Sequence, residues 1–223
     1  TDKIITVDVK PLARPNFTFP AISCLPNANV SFTNISTIPD GTQAAFSYLW
    51  NFGDPGSGPV NTSTGMNPSH TYVGTGPYNV NLQVTSGAGC VHDTTIALNS
   101  IHPQPLASFT TDKVDVCIGG TISFTNTSNP MDGTLQSLNW DMADGTIRTA
   151  PTFTYTYAVT GSYNVSLYII NSFNCRSTIF TKMVSVNPFP PVNAGPSKFM
   201  LEGGQVQLTP SVNASYPVTY LWT

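Results

Sequence analysis

Hydrophobic and polar residues alternate one for one over several short stretches of the chain. Val30 and Phe32 flank a serine, and Tyr78, Val80, Leu82 and Val84 are interleaved with Asn and Gln. Tyr163, Val165 and Leu167 are spaced by Asn and Ser in the same way. A period of two places every apolar side chain on one face, which is the pattern of a half-buried β-strand. Gly, Pro and Asn clusters separate these strands at the spacing expected of a β-sandwich. No segment of helical length shows a 3.6-residue period, so the pattern predicts an all-β chain.

The pattern also repeats. Cys24 precedes Val30-Ser31-Phe32-Thr33-Asn34, and Cys117 precedes Ile122-Ser123-Phe124-Thr125-Asn126. Trp50-Asn51-Phe52-Gly53-Asp54 corresponds to Trp140-Asp141-Met142-Ala143-Asp144, and His70-Thr71-Tyr72 to Tyr155-Thr156-Tyr157. Gly76-Pro77-Tyr78-Asn79-Val80-Asn81-Leu82 corresponds to Gly161-Ser162-Tyr163-Asn164-Val165-Ser166-Leu167, and Cys90 and Cys175 close the two copies. Proline clusters at Pro11/Pro15, Pro103/Pro105 and Pro188/Pro190/Pro191 fall between copies, where a fixed φ and a missing donor suit stiff junctions. The expected organisation is therefore the last strand of a preceding repeat over 1–14, whole repeats over 15–103 and 104–188, and an incomplete further repeat over 189–223. In that last segment Leu201 stands where the alignment places a cysteine. Thr1-Asp2-Lys3 carry neither an initiator Met nor a signal peptide, which reads as a processed or excised stretch of something longer.

Composition narrows the function classes. Only 9% of the 223 residues are charged and Glu occurs once, at Glu202, so Thr, Ser and Asn furnish the polar faces. That choice suits strand surfaces better than helical ones. Eight Lys and Arg spread thinly, with a net charge of −3, leave no basic footprint for nucleic acid. No apolar run approaches the roughly 20 residues needed to cross a bilayer as a helix.

The residues of the first copy resemble the PKD repeat, an immunoglobulin-like domain. Its pattern is a Trp-Asp-Phe-Gly-Asp-Gly turn, then Asn-Pro-x-His-x-Tyr, then Gly-x-Tyr-x-Val-x-Leu. Here these read as Trp50 to Asp54, Asn67-Pro68-Ser69-His70-Thr71-Tyr72, and Gly76 to Leu82. The second copy departs at Met142, Ala143 and Tyr155. The resemblance implies tandem immunoglobulin-like sandwiches, with Trp50 and Trp140 filling the space between sheets. Tyr78 and Tyr163 then take the position of a tyrosine corner, and His70, Tyr72, Tyr157, Asp54 and Asp144 belong to the structural motif. Gly53 and Gly145 permit the tight turns. Low charge, paired cysteines and tandem copies look most like the giant secreted surface adhesins of Bacteroidota, including those of gliding motility.

Candidate chemistry is sparse. Each copy holds two cysteines, and the symmetric assignment is Cys24 with Cys90 and Cys117 with Cys175, each closure contributing roughly 4 kcal/mol; free buried thiols are the alternative. The pairing meets a topological objection, because a simple sandwich puts the A–B and F–G turns at opposite ends. Disulfides would place the chain in an oxidising compartment, at a bacterial cell surface or outside the cell. Asp40, Asp54, Asp132 and Asp144 lie at matched turns and are weak calcium candidates; the competing role is an Asx-turn, and no Asp-x-Asp-x-Asp-Gly run occurs. His70 reads as a hydrogen-bonding turn residue, while His92 and His102 have no repeat-matched partner. Tyr155, Tyr157, Phe17 and Phe19 are candidate sugar-stacking rings, set against burial in the core. No nucleophile elbow, zincin or P-loop spacing occurs, so no enzyme activity and no cofactor are expected. The expected role is a structural stalk segment of a large extracellular adhesin, its partners being neighbouring repeats, with polysaccharide or another surface ligand bound by other regions. The alternatives are a carbohydrate- or protein-binding module, or the accessory stalk of a secreted hydrolase.

Overall fold

The computed structural model describes residues 9–193 together with Ser211 and Val212. The expected strand before residue 9, the substitution at Leu201 and most of the expected further repeat lie outside the described residues. Within them the chain is built from strands, and the helical turns are two short 3₁₀ segments, Gln43–Ala45 and Pro55–Asn61. No helix among the described residues is long and apolar enough to cross a membrane.

The first repeat contains β1 (Phe17–Thr18), β2 (Ser23–Cys24), β3 (Ala28–Ser31), β4 (Thr33–Asn34) and β5 (Ser47–Asn51). It continues with β6 (Thr62–Ser63), β7 (Ser69–Tyr72), β8 (Tyr78–Thr85), β9 (Val91–Leu98) and β10 (Ile101–His102). One sheet runs β6-β5-β8-β9, while β3 pairs with β7 and β1 with β4. The register follows the alternation: Val80, Leu82 and Val84 of β8 are buried, and Val30 of β3 lies opposite His70 of β7. Trp50, Phe52, Phe32 and Phe17 meet at the centre of this core, with the Trp50 ring 5.0 Å from Phe17 and 5.6 Å from Phe32.

The second repeat has the same layout in β11 (Phe109–Thr111), β12 (Asp115–Cys117), β13 (Ile122–Asn126) and β14 (Leu135–Asp141). These are followed by β15 (Ile147–Arg148), β16 (Thr152–Tyr155), β17 (Gly161–Asn171) and β18 (Phe180–Asn187). Its sheets run β11-β13-β16 and β12-β18-β17-β14-β15. A final pair, β19 (Val192–Asn193) with β20 (Ser211–Val212), follows. By contacts the chain divides into two compact units. One takes in Thr1–Ser108, Ser128–Asn139 and Leu167–Phe180, the other Phe109–Thr127, Trp140–Ser166 and Thr181–Thr223.

The cysteine pairing differs from the symmetric expectation. Cys24 is bonded to Cys175, 151 residues away, and Cys90 and Cys117 are free thiols. Strand topology explains why. The segment bearing Cys24 crosses to the other sheet as β2 and runs parallel to β10, so that Cys24 lies beside His102, at the end of the last strand. Cys90 precedes the start of β9, at Val91. β9 alone carries the chain roughly 23 Å at ~3.3 Å per residue, from Val91 to Leu98, before β10 begins, whereas a disulfide needs Cα atoms within about 7 Å. Cys117 is likewise held beside Asn187 at the end of β18, whereas Cys175 precedes the start of β18 at Phe180. Cys24 and Cys175 have Cα atoms 5.6 Å apart and lie in the same compact unit.

Candidate functional site

Two places concentrate the polar side chains of the repeated motif: the turn after each tryptophan strand, and the surroundings of the disulfide. In the first turn Asn51 Oδ1 accepts from the Gly53 N–H at 2.9 Å, which reverses the chain directly after β5. Asp54 follows, and its Oδ2 lies 3.1 Å from His70 Nε2 on β7. The His70 ring stacks on Phe52 at 4.6 Å and meets Tyr72 edge-on at 4.6 Å. Tyr72, fully buried, donates from its hydroxyl to the Phe52 carbonyl at 2.9 Å. Trp50 Nε1 donates to the Gly65 carbonyl at 2.9 Å.

The second turn keeps the contacts and changes the chemistry. Asp141 Oδ1 accepts from the Ala143 N–H at 2.8 Å, and Asp144 Oδ1 from the Thr146 N–H at 3.0 Å. Tyr155, the counterpart of His70, donates to Asp144 Oδ2 at 2.7 Å and lies 2.9 Å from Thr146 Oγ1. Tyr157 donates to the Met142 carbonyl at 3.0 Å, and Trp140 Nε1 to the Ala150 carbonyl at 3.1 Å. The departures at Met142 and Tyr155 thus preserve an aspartate tied to the neighbouring strand. Tyr163 donates to the Val159 carbonyl four residues upstream at 2.7 Å, the geometry of a tyrosine corner. Tyr78 packs its ring 4.3 Å from Tyr72.

Electrostatics at these turns favour hydrogen bonding over proton transfer. Burial, and then the Asp54 carboxylate, push the Tyr72 and Tyr78 hydroxyls above the usual phenol range; burial and Asp144 do the same to Tyr157. Burial would raise the Asp144 carboxyl, but hydrogen bonds from Tyr155 and from the Thr146 side chain and N–H outweigh it and hold the group below the usual carboxylate range. Phenols held protonated near neutrality act as donors and not as bases.

Backbone conformation separates the two turns. Gly53 has φ +72°, and a Cβ there would sit 2.6 Å from the Asn79 carbonyl oxygen. Ala143 occupies the matching position at φ 63°. Replacing Gly53 with Ala is expected to cost at least about 2 kcal/mol, from the left-handed conformation and the backbone clash together. Ala143→Gly is expected to stabilise by roughly 0.5–1 kcal/mol by relieving the same conformation. Thermal unfolding of the two variants against the parent chain checks both signs.

The four acidic residues considered for calcium do not converge. Asp40 Oδ1 accepts from the Thr42 hydroxyl at 2.7 Å and the Thr42 N–H at 3.2 Å, an Asx-turn. Asp54 and Asp144 face His70 and Tyr155, and Asp132 Oδ2 lies 2.7 Å from His102 Nδ1. Among the described residues no three His, Cys, Asp or Glu side chains form a group able to hold a metal ion. The candidate sugar-stacking rings are taken up by packing: Phe17, Tyr155 and Tyr157 are buried, and Phe19 packs against the first core.

Around the disulfide lies a cluster that sequence reasoning missed. His102 stacks on Phe173 with ring centres 3.7 Å apart while it holds Asp132. Asn171 Nδ2 donates to the carbonyls of Pro130 and Asp132, both at 3.2 Å, and Gln104 donates to the Arg176 carbonyl at 3.2 Å. All these residues belong to the first compact unit. Only the matched positions of Asp40 and Asp132 signalled any part of it. His92, the third histidine, bonds the Ala13 carbonyl at 2.9 Å.

Comparison with known proteins fits this geometry. The PKD domain family matches residues 13–99 and again 102–186. Pre-pro-metalloprotease PrtV of Vibrio cholerae serotype O1, in two strains, is 28% identical over 183 residues, covering 81% of this chain and 18% of that protein. The chain thus spans less than a fifth of the length of these relatives. The crystal structure of the PKD1 domain from the same metalloprotease is 24% identical, covering 38% of this chain and 98% of that one, with a TM-score of 0.33. A structure of carbohydrate-binding modules from the β-sandwich superfamily is 30% identical, covering 46% of this chain and 40% of that one, with a TM-score of 0.37.

Proposed function

The chain belongs to the PKD domain family, which it matches twice in tandem, and from that premise we propose that it is a non-catalytic stalk segment of a larger extracellular protein. The observation that carries this reading is the Cys24–Cys175 disulfide, whose two ends come from the two matched segments. A covalent tie of that span belongs to an oxidising compartment, outside a bacterial cell or on its surface. It also gives tension a path that bypasses the residues between the two cysteines. The motif residues support the same role: tryptophans, tyrosines, His70 and the turn aspartates spend their polar groups on holding strands and turns together.

In this role neighbouring repeats are the partners, and a distal region of the full protein binds the surface ligand. A large surface adhesin of the Bacteroidota type is the whole protein that the low charge and paired cysteines resemble. The match to PrtV favours a second reading, in which the segment is the accessory stalk of a secreted hydrolase. Both readings make the segment a spacer. The intact chain, immobilised and presented with a panel of polysaccharides, is therefore expected to show no saturable binding. Saturable binding by the intact chain would overturn the spacer role and make it a binding module.

A further inference from the structure

The two free cysteines occupy the same two places in their repeats as the two bonded ones. Cys117 and Cys24 both sit on a short strand parallel to the end of the last strand, where Cys24 lies opposite His102 and Cys117 opposite Asn187. The residue after each donates its N–H to that same partner's carbonyl at 2.9 Å, Leu25 to His102 and Ile118 to Asn187. Cys90 and Cys175 share a hairpin turn just as closely. In one, Ser86 N–H donates to the Cys90 carbonyl at 2.9 Å and Ser86 Oγ accepts from the Cys90 N–H at 3.2 Å. In the other, Asn171 N–H donates to the Cys175 carbonyl at 3.1 Å and Asn171 Oδ1 accepts from the Cys175 N–H at 3.0 Å.

The bonded pair therefore defines a rule: the strand cysteine of one PKD domain joins the hairpin cysteine of the next. We infer that Cys117 and Cys90 are the open ends of a chain of such disulfides. Cys117 takes the hairpin cysteine of the PKD domain that follows it in an array, and Cys90 is the hairpin cysteine for the domain that precedes. Cys117 is exposed and lines a hollow of about 420 Å³ with Asp115, Val116 and Asn187. Part of the polar chemistry of the existing junction carries over. His102, which holds Asp132, is matched by Asn187, a residue able to donate from its side-chain amide, and Asp132 is matched by Asp40. The stacking does not carry over, since Ala88 stands where Phe173 does.

The bond forms by exchange with a small disulfide such as oxidised glutathione. One protein thiolate attacks it and releases a glutathione thiol. The second thiolate then displaces the other glutathione from the mixed disulfide, so the protein thiols lose two electrons and two protons and the glutathione gains them.

This inference rests on the reading of the chain as one stretch of an array, and it is tested by building the next step of that array. A tandem chain in which residues 12–223 follow residue 188 keeps the repeat register at Pro11 and Pro188. It separates Cys117 of the first copy from Cys90 of the second by almost the 151 residues that lie between Cys24 and Cys175. With Cys90→Ser in the first copy and Cys117→Ser in the second, one candidate pair remains. After refolding in a glutathione buffer and blocking of free thiols, peptide mapping is expected to find that pair joined. The reverse chain keeps only the outward-facing cysteines, and its thiols are expected to be alkylated at least about tenfold more, because only docking brings two thiols into register. Equal alkylation in the two chains, with Cys24–Cys175 formed in both, would overturn the disulfide chain. The spacer role would be untouched by that result, since it is decided by ligand binding.

Discussion

Pulled from its two ends in an oxidising buffer, the chain is expected to yield far less length than its 223 residues hold. The disulfide closes a loop of 151 residues, and force passes across it instead of through the residues it encloses. At ~3.4 Å per residue of extended chain, about 500 Å of contour stays hidden until the bond is reduced. Adding a thiol reductant during the pull is expected to release that length. A gain of only about 400 Å would point to bonds closed within each repeat, which enclose fewer residues. No gain on reduction would remove the disulfide from the mechanics altogether. The same closure restricts the unfolded chain, and in the chain-entropy relation a loop of this size contributes about 5 kcal/mol. A tie of that strength between tandem domains suits a segment whose work is to transmit tension.

Trp50→Ala is expected to be the most damaging single core substitution in the first repeat. The indole is fully buried, packs among Phe17, Phe32 and Phe52, and donates to the Gly65 carbonyl. Removing it leaves a cavity between the sheets, at a cost of about 3–5 kcal/mol. The Gly65 carbonyl also loses its protein donor, at a further cost of roughly 1 kcal/mol. Leu49, its neighbour on the same strand, is 47% exposed, and Leu49→Ala is expected to change stability by less than about 0.5 kcal/mol. Denaturant unfolding of the two variants measures the contrast. Equal losses would mean that Trp50 does not anchor the core.

The fold was largely legible because burial dictates it residue by residue. Alternation in Tyr78 to Val84 and in Tyr163 to Leu167 corresponds to the buried faces of β8 and β17, and the turn motif after Trp50 marks where β5 ends. The disulfide was not legible. Which cysteine meets which depends on β2 and β12 leaving their first sheet to run beside the far end of the last strand, and two or three residues of strand carry no periodic signal of that crossing. The repeat alignment fixed which cysteines are equivalent, but equivalence within a repeat says nothing of which neighbour supplies the partner. Similarly, His70 and Tyr155 read as a mismatch in the motif. Only the shared contact to Asp54 and Asp144 shows that imidazole and phenol serve one position.

Peptide mapping of the unreduced chain after thiol blocking tests the central claim most directly. The expected result is a linked peptide pair containing Cys24 and Cys175, with Cys90 and Cys117 alkylated. Linked pairs of Cys24 with Cys90 and of Cys117 with Cys175, or four alkylated cysteines, would contradict it.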